Sequence, residues 1–249
     1  MASVSLVNIN IVKKNFPAVS QATEHLAIID FNLNIRSNEF VCLVGPSGCG
    51  KTTLLNIISG LDQNFEGEIT IGSASVKSKI GYVFQNPRLL PWRTVRENVE
   101  LVLDRFQNAS LIDQLLEVMQ LTKFQHVYPE RLSLGMSRRV GIIRAFAVNP
   151  DLLLMDEPFV SLDPPTARQV RDLLMVLWQN RPHTVLFVTH DLREAIFLAD
   201  RLIFLSAAPM GVVTEITVPI VRADRENDQA IESFRQKLLN DYPAIKQLL

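Results

Sequence analysis

The nine residues "GPSGCGKTT" (45–53) constrain this chain more than any others. They fit G-x-x-x-x-G-K-[ST] without a gap, between an apolar run, "FVCLVG", and a segment of helical spacing, "KTTLLNIISG". A strand buried on both faces, a glycine-bearing turn and a helix, in that order, form a cradle for an anion. Gly45, Gly48 and Gly50 let the backbone curl until its N–H groups converge, and the helix dipole adds positive potential there. Lys51 can reach the β- and γ-phosphates of a nucleotide, and the Thr52 hydroxyl can ligate Mg²⁺. Pro46, Ser47, Cys49 and Thr53 complete the loop around the same nucleotide. Cys49 reads as a small filler, because no chemistry of this loop needs a thiol.

Around the loop the pattern is that of an α/β chain. "VSLVNINIV" and "LAIIDFNLNI" alternate apolar and polar residues, which predicts two half-buried antiparallel strands. After the first helix, which stops at Gly60, "EGEITIG" and "IGYVFQ" return to strand. The middle is helical. Thr94 and Glu97 in "TVRENVELVL" make a capping box, Ser110 and Asp113 repeat it before "LLEVMQL", and "SRRVGIIRAFAV" predicts a third helix ended by Asn149-Pro150. The last third alternates strand "DLLLMD", a helix from about Pro164 to Gln179, strand "TVLFVTH", helix "LREAIFLA" and strand "RLIFL". That repetition indicates a parallel sheet with crossover helices. The expected fold is one α/β domain over 1–249 with a P-loop NTPase core. Core and N-terminal antiparallel β subdomain occupy 1–86 and 149–220, an inserted helical subdomain 87–148, and a C-terminal helical extension 221–249. In that extension "DRENDQAIESFRQKLL" reads as an amphipathic helix packed on its own core.

Composition narrows the partners. The net charge of −1 provides no global basic field to recruit nucleic acid or anionic lipid. Two cysteines, Cys42 and Cys49, cannot be a disulfide framework for 249 residues and read as reduced thiols of a cytosolic protein. "MASVSLVNINIVKKNF" reads as a strand rather than a signal peptide, and no apolar run is long enough to span a membrane. The expectation is a soluble chain that can still dock on a membrane protein.

Three further stretches carry chemistry. "LLLMDEP" puts Asp156 and Glu157 at the C-terminal end of a buried strand, where α/β sheets bind ligands. Asp156 suits a water-mediated hold on Mg²⁺, and Glu157 can polarise an attacking water as general base. "VTHD" sets His190 at the end of the next strand. A lone histidine there is more often structural, but these neighbours favour a catalytic role. Gln85, closing "YVFQ", offers a neutral oxygen to Mg²⁺ and to the water.

In this order the pieces resemble the ATP-binding cassette (ABC) transporter ATPases, over nearly the whole chain. The matching parts are the phosphate loop (45–53), the Q-loop glutamine Gln85, the signature "LSLGM" (132–136), the Walker B strand "LLLMDEP", the D-loop "SLD" (161–163) and the switch histidine His190. Within the family, "NPRLLPWRTVRENV" and "THDLREAIFLADR" look like the importer subunits for nitrate, sulfonate, taurine and related small anions.

The resemblance implies two copies paired head to tail around two ATP. Each phosphate loop then faces Ser133 and Gly135 of the other copy. Thr52 and Gln85 would bind Mg²⁺, Asp156 would do so through water, Glu157 would be the base, His190 would contact the γ-phosphate and Asp163 would communicate across the dimer. Phe16 is the nearest candidate to stack on adenine, where the family often has tyrosine. Its other reading is a strand-end core residue. The segment from Gln85 to Trp92 would accept a cytoplasmic helix of the membrane permease. Leu89, Leu90, Pro91 and Trp92 supply its apolar part, although Trp92 reads equally well as core of the helical subdomain.

The implied partners are a second copy, permease subunits and a periplasmic or extracellular solute-binding protein, with no nucleic acid. The implied location is the cytoplasmic, inner face of the cell membrane. A lipid or drug exporter cassette, or a soluble non-transport cassette, is the alternative. The stretch between Gln85 and Leu132 is too short for the coiled-coil insertion of repair cassettes. One departure stands out: the signature usually reads L-S-G-G-Q, and Leu134 replaces its first glycine. If the backbone there needed φ > 0, leucine would be strained by roughly 1–2 kcal/mol. Catalysis is still expected, because Lys51, Asp156, Glu157 and His190 are all present.

Overall fold

Strands and helices follow one another along the computed structural model, which describes residues 5–17, 24–72, 78–103 and 109–248. Residues 1–4 of the expected first strand and Leu249 of the C-terminal extension lie outside the described residues. In chain order the elements are β1 (Ser5–Phe16), β2 (His25–Arg36), β3 (Phe40–Val44), α1 (Lys51–Ile58), β4 (Glu66–Ile71) and β5 (Ile80–Val83). Then come α2 (Val95–Glu100), α3 (Ala109–Val118), α4 (Leu134–Ala147), β6 (Leu152–Asp156), α5 (Pro164–Asn180) and β7 (Thr184–Thr189). The last are α6 (Leu192–Leu198), β8 (Arg201–Leu205), β9 (Val212–Thr217), α7 (Asp228–Asp241) and α8 (Pro243–Leu248). They form two compact units, Met1–Val76 with Thr184–Leu249, and Lys77–His183.

The first unit holds both kinds of sheet that the sequence patterns predict. β1 pairs antiparallel with β2 and β4, with Ile9 opposite Leu33 and Ile69. Val7, Ile9 and Ile11 are buried while Asn8, Asn10 and Val12 are exposed, the period of two expected of a half-buried strand. β3 instead runs parallel to both β7 and β8, and β9 closes antiparallel on β8. Every residue of β3, β7 and β8 is buried, which explains continuous apolar runs in place of alternation. Each large apolar side chain buried there contributes about 1.5–3 kcal/mol. Val44 lies opposite Thr189 and Phe204, so three strands release the chain at one end.

The C-terminal extension is tied to α6, which packs on β3. Arg225 donates to the carbonyls of Phe197 and Ala199, and Arg222 to that of Leu198. These are the carbonyls that the end of α6 leaves without helical partners. Burial lowers Arg225 to about 10, so it stays cationic at neutral pH. α7 then buries Ile231 and Leu238 and packs on α6, as an amphipathic helix on its own core should.

In the second unit β5 and β6 pair in parallel, and α4 packs on β5 and against α2, α3 and α5. The capping box forms: the Thr94 hydroxyl accepts from the Glu97 N–H, and the Glu97 carboxylate accepts from the Thr94 N–H. The second expected box does not. Ser110 lies inside α3, and Asp113 accepts instead from Arg96 at 2.7 Å. A second difference concerns α4, which starts at Leu134, ahead of the predicted "SRRVGIIRAFAV", because Ser133 caps it.

Candidate functional site

The phosphate loop begins where β3 ends. Gly50 at φ 111 opens α1 in the left-handed region, a conformation that a side chain would strain, and no side chain caps the helix. The first N–H groups of α1 are therefore presented by backbone shape alone. Lys51 is buried, and its Nζ donates to the carbonyls of Gly45 (2.8 Å) and Pro46 (2.9 Å). The ammonium is thus drawn back over its own loop, beside the place where phosphate oxygens are expected. Ser47 and Thr52 are exposed at the loop surface, Thr53 is half-buried, and the buried Cys49 donates its N–H to the Pro46 carbonyl. Neither Cys42 nor Cys49 forms a disulfide, and burial pushes the Cys42 thiol well above its ordinary range.

His190 follows Thr189, the residue opposite Val44, so histidine and loop leave neighbouring strands at one end. Its turn is built locally. The Thr189 hydroxyl donates to Glu194 (2.8 Å) and accepts from the Asp191 N–H, and Asp191 caps α6. Phe16 sits at the end of β1 with 39% of its surface exposed, which excludes the core reading. The Lys14 ammonium lies 4.7 Å from its ring centroid and is anchored by Asp62 at 2.7 Å. A ring so backed by a cation presents an aromatic surface outward.

In the second unit, Val83 lies opposite Met155, so Gln85 and the acid pair emerge from one end of the β5–β6 ribbon. β5 ends at Val83, and Gln85 stands beyond it as an exposed residue rather than closing the strand. Asp156 is buried and Glu157 half-buried. Burial, then the Asp156 charge, raise the Tyr82 phenol above its ordinary range, so Tyr82 stays protonated beside that carboxylate. Glu157 holds φ 42 and Ser161 φ 66, both unusual for residues with side chains. Asp163 caps α5 by accepting from the Thr166 N–H at 3.1 Å, and hydrogen bonds with the Thr166 side chain first, then with that N–H, hold its carboxyl below the usual range.

The signature turn answers the question about Leu134. Ser133 is the N-cap of α4, extended at φ −65 and ψ 160, and its hydroxyl accepts from the Met136 N–H at 3.2 Å. Leu134 is the first helical residue, 45% exposed, and is not among the positive-φ residues. Leucine there costs no backbone strain. Gly135 is the position that needs glycine: a Cβ would stand 2.6 Å from the Thr166 methyl.

Trp92 is 69% exposed, so it is not core of the helical region. The loop that carries it is held from beneath by Asn98, which is fully buried. Asn98 accepts from the Leu90 N–H and donates to the carbonyls of Leu90, Arg93 and Thr94. Arg144 holds the preceding turn through the carbonyls of Pro87 and Arg88. The sequence reading missed Asn98. Its signal was an amide on the apolar stripe of "TVRENVELVL", where only a fully bonded one is tolerated.

A family model described as "ABC transporter" matches residues 28–160. The chain is 39% identical over 243 residues to the aliphatic sulfonates import ATP-binding protein of Bacillus cereus (strain ZK / E33L), covering 95% of each chain. It is 36% identical to the nitrate import ATP-binding protein of Synechococcus elongatus, covering 94% of this chain and 88% of that relative. Among solved structures, a dimeric bacterial ABC transporter cassette superposes with a TM-score of 0.73 at 33% identity, over 86% of this chain and 100% of that one. A post-hydrolysis state of such a cassette, bound to ADP and Pi, gives 0.72.

Proposed function

The chain belongs to the ABC transporter family as one of its ATP-binding ATPases, and from that premise we propose that it energises an importer for a small anion such as a sulfonate, taurine or nitrate. The observation that carries the reading is the phosphate loop. Its lysine is already folded over the cradle, its helix N-terminus is uncapped by any side chain, and His190 stands at the same sheet end.

The residues divide the work as follows. The N–H groups at 45–53 and Lys51 receive the β- and γ-phosphates, which compete with the Gly45 and Pro46 carbonyls for the ammonium. Phe16 offers its exposed ring to adenine. Glu157 accepts the proton of the water that attacks γ-phosphorus, and His190 steadies the γ-phosphate through the displacement. Ser133 and Gly135 of a second copy contact the same phosphate from the far side, where charge builds in the transition state. Asp163 communicates between the copies.

The Thr52 hydroxyl, Gln85 amide and Asp156 carboxylate are hard oxygen donors that fit Mg²⁺. The described residues hold no cluster of three His, Cys, Asp or Glu side chains able to bind a metal, and magnesium on a nucleotide needs few protein ligands. Bound there, the ion would neutralise charge on the β- and γ-oxygens. The segment from Gln85 to Trp92, with Trp92 exposed and Leu89 and Leu90 half-buried, is the surface offered to the permease on the inner face of the membrane. A solute-binding protein completes the system, and helices in 87–148 form the inserted lobe.

The test uses the chain assembled with its permease. Wild type is expected to hydrolyse ATP in a magnesium-dependent manner. Glu157→Gln should keep ATP affinity and lose about 10²–10⁴ in kcat. No wild-type turnover under any transport condition, or normal turnover by Glu157→Gln, would sink the assignment. Uptake of sulfonate, taurine and nitrate by the same complex identifies the solute.

A further inference from the structure

Among the described residues of the second unit, Arg138 in α4 has two buried side-chain nitrogens without a hydrogen-bond partner. It is 5% exposed, and only Nη2 finds a hydrogen-bond acceptor, the Val160 carbonyl at 3.2 Å. Nε and Nη1 are buried without a hydrogen-bond partner. A buried guanidinium with unfilled donors is costly. Burial is the cause that pulls its pKa down.

The single acceptor is informative. Val160 lies in the middle of the turn from 157 to 163, where Glu157 and Ser161 both hold left-handed backbone. Such conformations persist when their surroundings over-determine them. The Val160 N–H donates to the Glu157 carbonyl at 3.2 Å, and the Leu162 N–H to that of Phe159 at 3.3 Å. At one end stands Glu157, and at the other Asp163 caps α5. Arg138 approaches this turn from α4, the helix whose first residues form the signature.

We propose that Arg138 is a positioning residue for ATP hydrolysis, a buried strut that holds the strained turn bearing Glu157 against the signature helix. The inference rests on the reading of Glu157 as the base. Arg138 touches no nucleotide. It acts through the Val160 carbonyl, and its two unfilled donors are available to further carbonyls of the turn as that turn tightens around ATP. Base and signature are then set by one rigid helix, so engagement of Ser133 by a second copy's nucleotide reaches this copy's Glu157.

Arg138→Gln and Arg138→Lys in the assembled transporter test this. Arg138→Gln should lower kcat by about ten- to a hundredfold, while KM and Kd for ATP stay within about twofold. Arg138→Lys, which keeps the charge but loses the fork, should recover part of the rate. The melting temperature should not fall in proportion, because removing an under-bonded buried cation also removes a cost. Wild-type kcat in Arg138→Gln, or a rate loss matched by an equal loss of folded protein, overturns the strut and leaves the ATPase reading intact. Absence of turnover in the wild type overturns that reading and the strut with it.

Discussion

Two helix N-termini, α1 and α4, are built in opposite ways. α1 opens at Gly50 in left-handed backbone with no capping side chain. α4 opens at Ser133 in extended backbone, with the serine hydroxyl bonded to the Met136 N–H. The first is a site made by backbone shape, so its residue types are dictated by φ. The second is an ordinary capped helix start, where the first helical position accepts any side chain that points outward. This contrast explains why the phosphate loop follows its pattern without a gap while the signature carries a leucine.

Three substitutions break or sharpen that contrast. The largest effect is expected for Gly50→Ala. A Cβ at φ 111 should cost at least the roughly 1–2 kcal/mol of left-handed strain, read as a loss of ATP affinity of about tenfold or more. Unchanged affinity in a nucleotide titration would mean that the loop is not shape-limited. Gly135→Ala comes next. The added methyl meets Thr166 at 2.6 Å, and overpacking of this kind costs about 1–3 kcal/mol. Better helix propensity returns up to about 1 kcal/mol, leaving a fall in melting temperature of about 2–6 °C. Adding Thr166→Ser should restore most of it; no restoration would show that the close approach is not the cause.

Leu134→Gly should be mildest. The side chain is exposed and the backbone unstrained, so turnover should stay within about threefold of wild type and stability should fall by no more than about 1 kcal/mol. A large rise in turnover would show instead that the leucine obstructs the facing nucleotide.

The local signals were legible. A gapless loop motif, period-two strands, the Thr94–Glu97 box and the continuous runs of β3 and β7 each depend on residues close in sequence. The "LSLGM" turn was legible by its resemblance to the family signature, but the capped start it gives α4 was not, because Ser133 looked like a ligand and not like a cap. Ser110 made the converse error: it has the residue type of a cap but lies within its helix. Trp92 read equally as core and as surface. Its exposure follows from Asn98, whose bonds gather the carbonyls of Leu90, Arg93 and Thr94 beneath the loop.

The sequence by itself determined the family and the nucleotide chemistry, because each motif is a short run whose spacing already sets its geometry. Only the tertiary structure decided which substitutions those motifs tolerate. Leu134 is free because its backbone is helical, Gly135 is constrained because Thr166 lies against it, and Arg138 matters because burial leaves it one acceptor. Those are contacts between residues of different elements, and packing, not local spacing, sets their distances.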